Sequence, residues 1–440
     1  MAALVAALLV GCTEQEVILP GEREDLRADL SAPVDPTQAA PAAPAGPVNR
    51  AARISLPAPQ LNANWTHKAG SAAHRVPQPA LGAVPTQIWS QDLGAGNTRR
   101  QRLTVDPVVQ GGQIFAMDSQ ARVTSLSTTG QVLWARDLTR PGDRPEDASG
   151  GGLAVQGNRL FVATAFGQLH ALDAASGGTI WVQELDSVAS GAPTVSGDIV
   201  TLVTRDSRAW GIDVGNGRVR WQTPGARSVS GVVGGSAPAI ADGRVILPFS
   251  SGQITALSLN TGETLWSTSL AGQRLGPVFA RILDIGGDPV IAGGRVFMGN
   301  TSGRTVAVDA ATGERVWTVE EGAFGPVWVE GGSVFLISDR NELLRLDAAS
   351  GERIWGVALP LFEPVRRARR LKDVFVHYGP VLAGGRLLVA SDDGLLRSFS
   401  PVDGSLLSAV TLPEPAARPP VVAGGTLFIV GESGTLHAFR

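Results

Sequence analysis

Cysteine occurs once in the 440 residues, at Cys12. A lone thiol can form no disulfide within the chain and fill no cysteine-rich metal site. It can still act as a nucleophile. Cys12 ends the apolar run that starts at Met1, and Leu9-Val10-Gly11-Cys12 matches a bacterial lipobox: aliphatic at −3, small at −1, then the cysteine. In such a motif the thiol takes a diacylglycerol, and the small residue before it lets a peptidase approach the backbone. The run is shorter than the ~20 residues that span a bilayer and suits the core of a secretory signal, although no Lys or Arg precedes it. Thr13 stands where an Asp would retain the protein at the inner membrane. We therefore expect 1–11 to be a signal peptide and Cys12 to carry a lipid anchor, with transport to the outer membrane favoured.

Other chemistry is sparse. The five histidines (His67, His74, His170, His377, His437) form no metal-binding spacing, so no metal or other cofactor is expected. Gly94-Ala95-Gly96 lacks the third glycine of a dinucleotide fingerprint. Gly431-Glu432-Ser433-Gly434 lacks the spacing of a nucleophile elbow. His170 and His437 both sit in Leu-His-Ala, which marks them as repeat positions. With 37 basic and 40 acidic residues the net charge is −3, so nothing demands a nucleic-acid partner. No small-molecule substrate is indicated.

The elements that would position a site are clear. From Thr13 to about Pro85, prolines alternate with alanines and no periodicity survives, as in a tether. We assign 12–85 to the lipidated cysteine and a Pro/Ala-rich tether. From residue 86 the chain repeats. Gly130…Trp134, Gly177…Trp181, Gly217…Trp221, Gly262…Trp266, Gly313…Trp317 and Gly351…Trp355 share the pattern Gly-x₃-Trp, and Ser408 stands where a seventh Trp would fall. A period of about 40–50 residues built from short strands marks a β-propeller. Each unit reads as four strands joined by Gly turns and by an Asp-x-x-Ser/Thr-Gly hairpin, whose Asp can satisfy turn amides while Gly takes φ > 0. Blades should begin near Asp106, Gly152, Ala192, Ala237, Asp288, Pro326, Pro380 and Pro419.

The last unit stops before its Trp strand. Gln87-Ile88-Trp89 resembles the missing piece. The expected fold is therefore all-β: an eight-bladed propeller of four-stranded antiparallel blades over 86–440, closed by the N-terminal strand in the last blade. Trp89, Trp134, Trp181, Trp221, Trp266, Trp317 and Trp355 should pack between blades. On this reading, deleting 13–80 leaves the propeller folded, whereas deleting through Leu93 destabilises it.

Four links between blades are long: Arg136–Gly151, Thr223–Ser236, Thr268–Asp288 and Gly356–Gly379. All links of this kind emerge on one face, which suits protein binding. The last carries the basic run Arg366–Lys372.

The repeats Ala171–Trp181 and Ala307–Trp317 resemble those of quinoprotein alcohol dehydrogenases. Those enzymes share the eight-bladed fold and hold calcium and a quinone on the axis, with a vicinal Cys-Cys disulfide and an Asp base. A quinoprotein dehydrogenase, or its relic, is the enzyme alternative; this chain lacks the second cysteine. Another cell-envelope propeller that binds some other partner is a third reading. The lipobox, the tether and a quinoprotein-like propeller without the quinone site together resemble the BamB family of the outer-membrane β-barrel assembly machinery. That resemblance implies a non-enzymatic subunit that binds the POTRA domains of BamA within the Bam complex and aids folding and insertion of outer-membrane β-barrels. It also implies partner contacts from loops entering the fourth and fifth blades. Arg281 and Asp284 match the second loop's Arg-aliphatic-x-Asp element. Val232 and Val233 fall in the first loop, where the family's Arg is missing.

Overall fold

The computed structural model describes residues 48–147, 150–228, 234–270, 285–363 and 374–440. Eight four-stranded antiparallel sheets succeed one another along the chain. Their innermost strands are Val108–Gln110, Gly151–Gln156, Thr194–Ser196, Ala239–Ala241, Val290–Ala292, Trp328–Glu330, His377–Ala383 and Val421–Ala423. These begin blades 1 to 8. In blades 1 to 7 the strands follow in sequence order from axis to rim. In blade 8 the rim strand is β1 (Gln87–Asp92), which pairs antiparallel with Thr435–Phe439. Strands from the two ends of the propeller thus share one sheet and close the ring, which removes the open edges of a linear array.

The apolar core lies between blades. One cluster joins Phe115 and Val123 of blade 1 to Leu153 and Leu160 of blade 2. Another joins Phe161 and Leu169 of blade 2 to Val200 and Trp210 of blade 3. Each middle strand shows one face to each neighbour, so its residues read as near-continuous buried runs. Rim strands are exposed on alternate residues.

The Gly-x₃-Trp repeat has a specific tertiary meaning. Each Trp lies under the hairpin of the following blade. Its Nε1–H donates to the carbonyl just after the hairpin's first residue: Trp89 to Thr128, Trp134 to Ala174, Trp181 to Val214, Trp221 to Leu259, Trp266 to Ala310, Trp317 to Ala348 and Trp355 to Pro401, at 2.8–3.2 Å. The hairpin glycine of that next blade sits flat on the ring. A Cβ built on Gly177 (φ +71°) would lie 2.7 Å from Trp134, and one on Gly351 would lie 2.8 Å from Trp317. The glycine and the tryptophan of one motif therefore serve two different junctions. In five blades a Phe of the same blade tilts against the Trp at 5.9–6.1 Å.

This pairing explains Ser408. Its glycine partner would come from the hairpin of blade 8 between the third strand and the rim strand. That hairpin does not exist, because the third strand ends at Phe439 and the rim strand is β1. A Trp there would have no hairpin to dock into.

The hairpins are held locally. Asp173 Oδ1 accepts from the Ser176 amide at 2.9 Å and from its hydroxyl at 2.7 Å. Asp309 and Asp347 do the same with Thr312 and Ser350. The side-chain and backbone hydrogen bonds from Ser176 hold the Asp173 carboxyl below its ordinary value. We expect Gly177→Ala to destabilise by about 1–3 kcal/mol, from positive φ and overpacking against Trp134 together. Denaturant melts of that variant, beside Gly157→Ala with open space at its Cβ, check it: both share the φ penalty, so a difference isolates the tryptophan contact.

Candidate functional site: a plugged channel and the face of the inter-blade links

Innermost strands of eight blades leave a channel on the axis. In this chain the channel is filled by residues that composition assigns to the tether. The segment makes hydrogen-bonded or charged contacts with every blade. Trp65 exchanges both backbone hydrogen bonds with Val109 of blade 1 at 2.7 Å. Val155 of blade 2 donates to the Thr66 carbonyl at 2.9 Å, Ile240 of blade 4 to Ala72 at 2.7 Å, and Ile291 of blade 5 to Ala73 at 3.0 Å. His67 Nε2 lies 3.0 Å from the Val195 carbonyl of blade 3. Arg75 reaches Glu330 of blade 6 at 3.4 Å. Gly384 and Gly424, at the turns after the inner strands of blades 7 and 8, donate to Pro79 and Asn62 at 2.8 and 2.6 Å. Gln60 bridges Pro79 at the neck of this loop.

Residues 48–85 of the segment assigned to the tether thus pack on the ring and inside it. Proline and alanine there do not mean a free strand of chain. The segment meets a different blade at every few residues, mostly main chain to main chain, so it has no reason to show period 2 or 3.6. Further out, Arg345 sits opposite Trp355, where blades 2, 4 and 5 carry Ala171, Ala256 and Ala307. Its guanidinium donates to the Ala52 and Pro401 carbonyls at 2.6 and 3.0 Å.

The tip of the plug is charged and buried. Lys68 Nζ pairs with Asp288 at 3.0 Å and donates to the Gly235 carbonyl at 3.2 Å. Asp288 is fully buried and also accepts from the Ala237 amide at 2.6 Å. Lysine occurs only at Lys68 and Lys372 in an arginine-rich chain. That rarity was the one sequence signal that could have singled Lys68 out. His67 and His74 flank it. Burial drives the His67 imidazole down to about 3, with the neighbouring His74 adding to the effect, and burial lowers His74 too. His74 Nδ1–H donates to the Pro289 carbonyl at 2.8 Å, so both rings are held neutral.

The pH consequence has a definite sign. Below pH 6.5 the unfolded chain protonates these histidines, and the folded chain does not until about pH 3 for His67. Stability is therefore complete above pH 6.5 and falls as pH drops through that window, by about 1.4 kcal/mol per pH unit for each such histidine. We expect His67→Gln to flatten the fall in melting temperature between pH 6.5 and 4.5. An unchanged slope would contradict the neutral, buried ring.

The links between blades emerge on the opposite rim from the hairpins. Among described residues, the links entering blades 6 and 7 expose Phe324, Leu361, Phe362, Val374 and Val376. The links entering blades 4 and 5 are stitched at their bases, where Ser236 Oγ donates to the Ile285 carbonyl at 2.7 Å. Cys12, Val232, Val233, Arg281, Asp284 and the run 366–372 lie outside the described residues. Trp221, Trp266, Trp317 and Trp355 are buried; Trp89, Trp134 and Trp181 are partly so. His170 and His437 occupy the third strand of blades 2 and 8. Among the described residues no three of His, Cys, Asp and Glu converge as metal ligands.

Comparison with known proteins gives a consistent picture. Residues 119–357 and 367–440 match the family described as outer membrane protein assembly factor BamB. The protein of that description from Moranella endobia is 28% identical over 253 residues, which is 56% of this chain and 65% of that one. The match thus spans slightly under two thirds of that relative. The crystal structure of BamB from Moraxella catarrhalis superposes with a TM-score of 0.68 at 22% identity, covering 81% of this chain and 100% of that one. Quinohemoprotein alcohol dehydrogenase from Comamonas testosteroni superposes at 0.64 with 14% identity, covering 86% and 81%. At such identities the superpositions speak for the fold alone.

Proposed function

The chain belongs to the BamB family of outer membrane protein assembly factors, and from that membership we propose that it works as a non-enzymatic scaffold. On this reading it is lipid-anchored through Cys12 at the periplasmic face of the outer membrane, belongs to the Bam complex and binds the POTRA domains of BamA. There it aids folding and insertion of β-barrel proteins.

The observation that carries the non-enzymatic reading is the plug. A quinoprotein needs its axis for the quinone and calcium. Here Trp65–Arg75 fills that axis, and the buried carboxylate beneath it, Asp288, is engaged by Lys68 at 3.0 Å and by a backbone amide. These residues do not fit a quinone–calcium site. Dye-linked alcohol oxidation by the purified chain with quinone and calcium would overturn this reading.

The partner reading is tested by pull-down from solubilised outer membranes, with BamA expected among the bound proteins. Arg281→Ala with Asp284→Ala should sharply lower BamA recovery and leave the melting temperature near wild type. Truncating desolvated charged contacts costs roughly 2–5 kcal/mol of binding, whereas an exposed pair contributes about 0–1 kcal/mol to folding. Full retention of BamA by the double variant would move the contact elsewhere, with Arg366–Lys372 next in line. Cys12→Ser should lose outer-membrane fractionation; unchanged fractionation would contradict the lipid anchor.

A further inference from the structure

The tip of the plug does not fill the channel to its end. On the face of the inter-blade links it floors a cavity of about 140 Å³. Trp65 and Trp328 form the floor, their ring centroids 6.5 Å apart and planes inclined by 28°. Pro326, Pro419 and Pro420 from the links entering blades 6 and 8, with Pro380 of the inner strand of blade 7, form the walls. At the rim stand Phe324 and Val376, 44% and 47% exposed.

Three observations say what this cavity is suited to hold. First, its charges are matched within the protein: Arg418 pairs with Asp106 at 2.6 Å, and Lys68 pairs with Asp288. A free ion gains little there. Second, the groups left over are donors. Arg418 engages Asp106 through Nε and one terminal nitrogen, which leaves the other terminal N–H groups for a ligand. Tyr378 lines the same cavity. Burial pushes its phenol up to about 12, so it stays a donor at neutral pH. Third, the volume sets the size: a cavity of about 150 Å³ takes one benzene ring.

We infer that the axial mouth is an anchoring pocket for an extended polypeptide. It takes one ring-sized apolar side chain on the Trp65–Trp328 floor, and an adjacent main-chain carbonyl accepts from Arg418 and Tyr378. Paired aromatics with a hydrogen-bond donor at the edge recognise extended chains in the same physical way elsewhere. The exposed Phe324 and Val376 continue the apolar surface outward from the pocket, as in the neutral, water-excluding surround of an interface hot spot. The pocket is lined by the plug and by residues of blades 6 to 8, and Gly234 and Gly286, at the bases of the links entering blades 4 and 5, border it as well. It stands or falls independently of which complex the chain serves.

The test uses the full-length chain and two probes, N-acetyl-phenylalanine methylamide and N-acetyl-alanine methylamide. The readout is the indole N–H resonances of the ten tryptophans, with Trp65 and Trp328 assigned through Trp65→Phe and Trp328→Phe. The expected result is a saturable shift of those two signals in the millimolar range for the phenylalanine probe, with binding at least about 10-fold weaker for the alanine probe. Tyr378→Phe, which removes only the hydroxyl, should weaken the phenylalanine probe several-fold while all ten indole signals keep their native dispersion. Phe324→Ser at the exposed rim should weaken it as well. No saturation, equal binding of the two probes, or unchanged binding in Tyr378→Phe would each overturn the proposal and leave the mouth as a solvent-filled end of the channel.

Discussion

A chain lacking residues 49–80 is expected to melt on the order of 10 °C below the intact protein, although no blade strand has been removed. Two losses dominate. Trp65, 2% exposed, gives up its burial against Val109 and Trp328, and emptying the site of a large aromatic costs about 3–5 kcal/mol. Asp288 loses Lys68 and keeps a buried carboxylate without its cation, for another ~3–5 kcal/mol if the ring does not relax. Backbone hydrogen bonds to four inner strands go with them. In a ring of this size each kcal/mol moves the melting temperature by about 1–2 °C. Lys68→Ala alone should reproduce a good part of the loss, and adding Asp288→Asn should return some of it, because the uncompensated charge is then gone. If the truncated chain melts with the full one, the plug is ornamental to the ring. This expectation reverses the one drawn from composition, under which removing 13–80 is harmless.

A deeper truncation, through Leu93, should do more: it should abolish a single cooperative transition and drive association. It removes β1, and with it the rim strand of blade 8. The N–H and C=O groups of Thr435–Phe439 that pair with β1 are then an open strand edge, the situation that templates strand addition from another molecule. It also removes Trp89, on whose ring the Gly130 hairpin of blade 1 rests and against which Phe428 packs at 6.0 Å. One strand thus secures both sides of the closure. Size-exclusion chromatography and thermal melts of the two truncations side by side separate the effects. Equal melting temperatures and equal monomer fractions would remove β1 from its role as the closing strand.

Family membership, the plug and the mouth pocket bear on one another. The axis that related folds devote to a cofactor is occupied here by the chain's own N-terminal segment, so the surfaces left for function are the outer faces of the ring. On the face of the links, apolar residues are exposed around the channel mouth. Hairpins dominate the other face, and their carboxylates are engaged by their own turn amides.

The sequence by itself determined the blades. Alternating strands, positive-φ glycines in the turns and the Asp-x-x-Ser/Thr-Gly hairpin are local devices, each acting within a few residues. Repetition at a steady period leaves a ring as the way to bury every sheet face. Inner strands begin within three residues of the expected starts, and the incomplete last unit correctly pointed to β1 as its fourth strand. What only the tertiary structure decided is everything that joins non-repeating residues to the ring. That the glycine of one motif rests on the tryptophan of the preceding blade is invisible in a motif that shows both in one unit. That Ser408 faces a junction without a hairpin follows from where the ring closes. The plug left no pattern, because Trp65, His67, Lys68, His74 and Arg75 each answer to a different blade. A segment whose contacts are made one by one with distant strands carries no period, and its fit is set by the shape and charge of the channel it enters.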